Sequence, residues 1–435
     1  MILLVMQYKV GLISLGCAKN LVDSEMILGM LSKSNFKVVN TIEEADVIIV
    51  NTCGFIEASK QESIENILDV CKSGKKVVVV GCLVERYLEE LKESIPEVDL
   101  WIPIREYAHF NEHLEALLKE EVEQLNPFNR LLSTPSYMAY LRISEGCDNR
   151  CAYCAIPLIR GGFRSRSFAD VTLEARMLKD QGIKEIVLIS QDTTRYGSDL
   201  KEGKNIVDLL RAVEEIGFYS IRLLYLYPDE ISDELIDYIA SSKAVKPYFD
   251  IPLQHSSDSV LKGMGRRGNG KLYQDLIDRI RDKIPHAIIR TTYIVGFPGE
   301  SDDDFVNLVS FTKKNRFDHL GAFKYSREDH TRAYDLPNQV SEPLKQGRYN
   351  KIMDVQKKIS YSKNKEHLGE IMEGIVIDYD SKNQIYSLRS SWNAPDDIDG
   401  RISFISPKKE LKLGEIVKVK ITNAFIYDLY GEYVD

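Results

Sequence analysis

Cys147, Cys151 and Cys154 stand in the run EGCDNRCAYCAIP, a C-x3-C-x2-C spacing that gathers three thiols on one short loop. Three thiolates cannot complete the ligand set of a four-iron cube. One iron is left free to bind and reduce a substrate instead of merely relaying electrons. A structural zinc site usually closes with four ligands, often as two C-x2-C pairs, and no fourth Cys or His follows locally. The spacing therefore points to an open iron–sulfur cluster, with zinc or incidental thiols as the alternatives.

Three further cysteines share a topological position. The apolar runs 8–15, 46–50 and 76–80 are followed by Cys17, Cys53 and Cys82 respectively. Short Val/Ile-rich runs separated by helix-like segments (23–34, 57–72, 84–93) read as buried parallel strands in βαβ units. Ligands collect beyond the carboxyl ends of such strands, so these cysteines can meet to form a second trio. Three buried thiols are the plain alternative. Cys71 differs: Ile64, Ile67, Leu68 and Cys71 follow i, i+3, i+4, i+7 spacing, which makes Cys71 core packing and no ligand.

The elements that must position these groups follow from the hydrophobic pattern. Six apolar runs (137–144, 186–190, 221–227, 248–253, 288–295, 318–325) alternate with helix-like segments at 168–181, 205–217, 232–241, 271–283 and 301–314. Six βα units predict a partial TIM-type barrel with its reactive mouth at the strand carboxyl ends. The Cys147–Cys154 loop follows the first of these strands, so it lies at the mouth. Candidate cofactor contacts are Tyr153 within the loop, Gln191 and Asp192 after the second strand, and Gly296, Gly299 and Glu300 after the fifth. The run Gly296–Glu300 reads equally as a turn before an acidic helix start. Gln254 and His255 follow the fourth strand, where His255 is a pocket wall or an ordinary loop histidine. Arg160, Arg164 and Arg166 are anion contacts or solvated charge.

After a charged helix at about 345–366, residues 368–435 carry short β-patterned runs punctuated by glycine, the mark of a small antiparallel barrel. This segment holds 12 Asp and Glu against 8 Lys and Arg, a balance of −4 within a chain of −9. A polyanion-binding surface leans the other way, although Lys408, Lys409 and Lys412 could form a local basic stripe. The 435 residues, 44% hydrophobic and 28% charged, describe a globular chain of several domains. No apolar run approaches a membrane span. The start MILLVMQYKVGLISLGC lacks a basic leader and reads as a buried strand rather than a signal peptide. Seven cysteines, odd in number and clustered, fit a reducing cytoplasm and metal work.

With these motifs together, the chain resembles the methylthiotransferases of the radical S-adenosylmethionine superfamily. SLGCAKNLVDSE (14–25), ISQDT (189–193) and DLYGEYVD (428–435) are similar to the RimO branch, though Ala18 stands where proline is common there. Ser190-Gln191-Asp192 also stands where many radical enzymes carry Gly-Gly-Glu. The resemblance implies a methylthiotransferase unit at 6–125, a radical S-adenosylmethionine unit at 133–366 and a TRAM unit at 368–435. It implies one [4Fe–4S] cluster on Cys147, Cys151 and Cys154 that engages S-adenosylmethionine, and an auxiliary [4Fe–4S] cluster on Cys17, Cys53 and Cys82. The expected reaction places a methylthio group on the β-carbon of an aspartate in small ribosomal subunit protein twelve, free or on the ribosome. A reductant and a sulfur donor are required partners. No acid or base residue is singled out as catalytic, because an unactivated C–H is scarcely acidic. A tRNA adenosine methylthiotransferase of the MiaB branch and a zinc-stabilised ribosome-binding factor are the alternatives.

Overall fold

The computed structural model describes residues 7–395, 398–406 and 410–435. The opening residues 1–6 of the first expected strand, and Lys408 and Lys409 of the basic stripe, lie outside the described residues.

Strands β1 (Tyr8–Ser14), β2 (Phe36–Val39), β3 (Val47–Thr52), β4 (Lys76–Gly81) and β5 (Leu100–Pro103) form an all-parallel sheet in the order 2-1-3-4-5. β3 is buried throughout and β4 nearly so, as their unbroken apolar runs require. The helix after β1 spans Ala18–Lys33, five residues earlier than the hydrophobic pattern implied. Its first turns bury Lys19, Asn20, Asp23, Ser24 and Glu25 alongside Ala18, Val22 and Met26, so polar bonding flanks a narrow apolar stripe. On the Glu57–Cys71 helix the buried positions are Lys60, Ser63, Ile67 and Val70. Leu68 is 42% exposed and Cys71 only partly covered, so the inner face is rotated from the expected stripe.

Six parallel strands follow: β6 (Met138–Arg142), β9 (Glu185–Ile189), β10 (Ser220–Leu223), β11 (Tyr248–Gln254), β12 (Ile288–Val295) and β13 (His319–Lys324). The two-residue strands β7 (Ser144–Glu145) and β8 (Arg164–Ser165) pair across the base of the cysteine loop. β6, β9 and β10 form one ladder and β11, β12 and β13 another. Between the two ladders, Ile221 pairs with Val245 and Leu226 N–H donates to Asp250 O at 2.9 Å. The result is the expected partial six-stranded barrel.

Residues from β14 onward close into a five-stranded barrel in the order β14 (Ile371–Asp380), β15 (Ile385–Arg389), β16 (Ile402–Ile405), β18 (Leu429–Val434) and β17 (Ile416–Ala424). It is the expected small barrel, antiparallel in four of its pairs and parallel in the β16–β18 pair. This small barrel packs on the amino ends of the large one. Tyr137, Met138, Tyr248 and Ile288 share an apolar cluster with Met372, Leu388, Trp392 and Phe404. Tyr248 Oη donates to Asp399 at 2.6 Å, and Arg290 and His319 lie within 3.4 and 3.6 Å of the same carboxylate.

Candidate functional site

All seven cysteines are free thiols. Cys17, Cys53 and Cys82 stand beyond the carboxyl ends of β1, β3 and β4. The strand order reverses between β1 and β3, and a doubly wound sheet opens a crevice at such a point. Asparagine and threonine side chains tie these ends together. Asn20 Nδ2 donates to Leu15 O at 2.9 Å and to Thr52 O at 2.8 Å. Asn51 Nδ2 donates to Asn20 O at 2.9 Å, and Thr52 Oγ1 to Val80 O at 2.6 Å. Ser63 Oγ accepts from Cys53 N–H and donates to Cys53 O, each at 3.0 Å. Glycine permits the close approaches. A Cβ on Gly16 would lie 2.9 Å from Cys53 Cβ, and one on Gly81 (φ +100°) 2.3 Å from Asn51 Oδ1. Cys17 caps the Ala18–Lys33 helix and Cys82 opens the Cys82–Ser94 helix, where the helix dipole favours thiolate. Burial opposes that, pushing the Cys53 thiol up and the Cys82 thiol up to about 12.

The second trio lies on a loop stitched to its surroundings by backbone bonds. Cys147 N–H donates to Gly161 O at 3.1 Å, Ala152 N–H to Met264 O at 2.7 Å, and Ala333 N–H to Ala152 O at 2.8 Å. Gly146 (φ +72°) passes so close to Gly162 that a Cβ would fall 2.0 Å from its carbonyl oxygen. Burial pushes up the Cys147 thiol and takes Cys154 to about 12. Tyr227 Oη lies 3.5 Å from Cys151 Sγ. Tyr153 packs beside Phe297 and Tyr325 in an apolar cluster under the loop.

The segments that carry the two trios touch. Cys82 packs with Ala155 and Ile159 of the turn that leaves the cysteine loop. Arg160, at the end of that turn, reaches 3.5 Å from Cys82 Sγ. Sequence reasoning left Arg160 undecided between anion contact and solvated charge. It is buried, with Asp23 at 2.7 Å. Arg166 is likewise paired with Glu174 at 2.5 Å, whereas Arg164 is exposed.

At the strand ends, Asp192 is fully buried and accepts from Asn149 at 2.7 Å and Thr194 at 2.6 Å, and burial raises its carboxyl. Gln191 Nε2 donates to Glu145 at 3.0 Å. Glu300 turns inward. Its carboxylate accepts from the Gly296 and Phe297 amides, lies 3.2 Å from Arg348, and is raised by burial to about 7. A Cβ on Gly296 (φ +74°) would strike Lys345 at 2.3 Å, while Gly299 (φ +85°) faces open space. Thus Gly296 and Glu300 serve the packing of their loop on the Glu342–Glu366 helix, and Gly299 has the free approach. His255 is wholly buried, lowered by burial to about 3, and its Nδ1 accepts from Ser257 N–H at 2.9 Å. Among the described residues, Gln191 Oε1, Gln254 Oε1, His255 Nε2, Arg266 Nε and Tyr325 Oη are buried without a partner. Such atoms normally find one; four of these five belong to strand-end segments, and Arg266, between two helices, lies over the Tyr227 ring at 4.0 Å.

Both donor sets fit iron–sulfur clusters: three soft thiols each, with glycines keeping the approach clear. Among the described residues no three His, Cys, Asp or Glu side chains close around a single ion. A cube binds each cysteine at a separate corner and needs no such convergence. The unpartnered polar atoms at the mouth likewise fit a polar small molecule.

Three family profiles match successive parts of the chain: residues 9–103 match "Uncharacterized protein family UPF0004", 141–312 the radical SAM superfamily and 368–434 the TRAM domain. A protein of Aquifex aeolicus named ribosomal protein uS12 methylthiotransferase RimO is 47% identical, covering 97% of this chain and 96% of that protein. Its namesake in Acetivibrio thermocellus is 46% identical over 99% of each. Among solved structures, the radical S-adenosylmethionine methyltransferase TsrM of Kitasatospora setae, with cobalamin and a [4Fe-4S] cluster bound, superposes with a TM-score of 0.57. It is 14% identical and covers 76% of this chain and 77% of that one, a likeness of fold.

Proposed function

The chain belongs to the RimO family of ribosomal protein uS12 methylthiotransferases, and we propose from that premise that its two cysteine trios divide the labour of one radical reaction. The observation that carries this reading is the packing of Cys82 against Ala155 and Ile159, which sets the strand-end trio against the barrel's cysteine loop. Cys147, Cys151 and Cys154 would hold the [4Fe–4S] cluster that meets S-adenosylmethionine, and Cys17, Cys53 and Cys82 the auxiliary one. When bound, the cluster and S-adenosylmethionine supply the radical that removes hydrogen from an unactivated carbon. The protein's share is placement. The stitched loop holds one trio at the mouth, and Gln191, Gln254, His255 and Arg266 offer free polar atoms there. Asp192 fixes Asn149 within the cysteine loop, Tyr153 packs that loop against the cluster of Phe297 and Tyr325, and Gly299 leaves room for close approach. Gly296 and Glu300 act through the shape of their loop.

The substrate in this reading is the aspartate of uS12, free or on the ribosome, and a reductant and a sulfur donor complete the reaction. The same reading divides the chain into units 6–125, 133–366 and 368–435, a division supported by the five-stranded sheet, the two barrel ladders and the small closed barrel. Seven unpaired cysteines fit a reducing cytoplasm, and no helix among the described residues is long and apolar enough to cross a membrane.

The test incubates anaerobically reconstituted protein with reductant, sulfide and S-adenosylmethionine, adding a uS12 peptide or unmodified tRNA. The peptide should gain about 46 Da at its aspartate, SCH3 replacing H. Methylthioadenosine in the tRNA with an unchanged peptide would move the chain to the tRNA branch.

A further inference from the structure

Arg160 carries a set of contacts that the reaction as described does not use. The residue is 5% exposed, and its guanidinium makes four contacts: Asp23 at 2.7 Å, Asn20 Oδ1 at 2.8 Å, Glu145 at 3.4 Å and Cys82 Sγ at 3.5 Å. Asn20 Oδ1 in turn lies 3.3 Å from Cys82 Sγ, so the thiol is held between a cation and an amide that the cation itself orients. Arg160 lies six positions beyond Cys154, and a short helix, Ile156–Arg160, fills the interval. One rigid turn therefore connects the two trios.

The charges around this turn do not cancel. Lys19, Arg142 and Arg160 stand against Asp23 and Glu145, which leaves one positive charge. Lys19 is 8% exposed, lies over the Tyr225 ring at 3.6 Å and donates to Ser190 O at 3.3 Å, with no carboxylate as its own partner among the described residues. An oxidised four-iron cube held by three thiolates carries a charge of roughly −1. A buried excess cation beside that site compensates it in a region where water cannot.

We propose that Arg160 is a positioning residue for the auxiliary site: it fixes Cys82 through Asn20, supplies the compensating charge, and thereby raises the reduction potential of a cluster held by Cys17, Cys53 and Cys82. This rests on the two-trio reading above. Hydrogen bonds to cluster sulfurs and net charge are the levers by which proteins tune such potentials. Removing the cation makes the added electron less welcome, and removing a neighbouring carboxylate makes it more so.

The experiment uses the full chain carrying Cys147→Ala, Cys151→Ala and Cys154→Ala, reconstituted anaerobically with iron and sulfide so that only the auxiliary site is loaded. Redox titration followed by electron paramagnetic resonance reads its midpoint. Arg160→Gln should shift the midpoint to more negative potential with iron content retained, Arg160→Lys should restore most of the shift, and Glu145→Gln should move it the opposite way. Should Arg160→Gln fail to keep iron, Glu145→Gln decides alone, since its carboxylate lies at the rim of the same cluster of charges. Unchanged midpoints with iron retained overturn this inference and leave the two-trio reading standing. A parent variant that takes up no iron overturns both.

Discussion

The two cysteine trios reach a similar donor set by opposite routes. Cys147, Cys151 and Cys154 occupy eight consecutive positions, and their geometry is a property of one loop pinned at Cys147, Ala152 and Cys154. Cys17, Cys53 and Cys82 are separated by 65 residues from first to last and meet because β1, β3 and β4 lie side by side in register. The first site is written locally and tolerates change elsewhere. The second is a product of topology, and any slip in the sheet disperses it. Its supports reflect this: Asn20, Asn51 and Thr52 are spent joining one strand end to the next, whereas the barrel loop is held chiefly by backbone bonds and by Asn149 on Asp192.

That contrast is most sharply tested by deleting each trio. Full reconstitution should give about eight irons per chain, and Ala at either trio about four. Without the barrel trio, cleavage of S-adenosylmethionine to 5′-deoxyadenosine should cease. Without Cys17, Cys53 and Cys82 it should persist while sulfur insertion is lost. Iron analysis and chromatography of the nucleoside read both, and the reverse pattern would exchange the roles. A smaller but more selective blow is Gly81→Ala. The added Cβ meets Asn51 Oδ1 at 2.3 Å and Thr52 O at 2.7 Å, and the φ of +100° is strained for any side chain. A loss of about 2–4 kcal/mol in unfolding free energy by denaturant titration, together with loss of auxiliary iron, is expected, with barrel iron intact. Equal loss from both sites would mean that the trios are not independently built.

Acidity separates the regions more gently. Glu300 belongs to the barrel, and burial raises it from 4.5 to about 7. A carboxyl raised in the folded state contributes stability below 4.5 that is lost as pH rises through about 7. Urea midpoints should therefore fall across that window in the native chain and fall less in Glu300→Gln. The smallest effect is expected from Cys71→Ala. This partly covered side chain packs beside Ile64 and Ile67 far from either trio. A stability loss of about 0.5–1 kcal/mol should leave iron content and both activities unchanged.

The hydrophobic pattern located most of the architecture because buried parallel strands advertise themselves as unbroken Val/Ile runs. The expected run 288–295 coincides with β12, and 76–80 falls one residue short of β4. β2 and β5 escaped notice, being four residues each at the sheet's two edges, where one neighbour and little apolar length suffice. The start of the Ala18–Lys33 helix was also illegible, since Lys19, Asn20, Asp23 and Ser24 are buried there beside only Ala18 and Val22. Polar groups read as surface in a sequence. Their burial here depends on partners such as Arg142 and Arg160, more than a hundred positions away. The same distance hid Arg160, and it hid Arg348, the partner of Glu300, which lies 48 positions on.

The small barrel seated against the strands' amino ends has a bearing on traffic. Met138, Tyr248 and Ile288 are sealed there beneath Trp392, Met372 and Phe404, with Asp399 locked to Tyr248. With the amino ends covered in this way, that end of the large barrel is kept from solutes, and the cysteine loop and the unpartnered polar atoms Gln191 Oε1 and His255 Nε2 lie at the opposite, carboxyl ends of the strands.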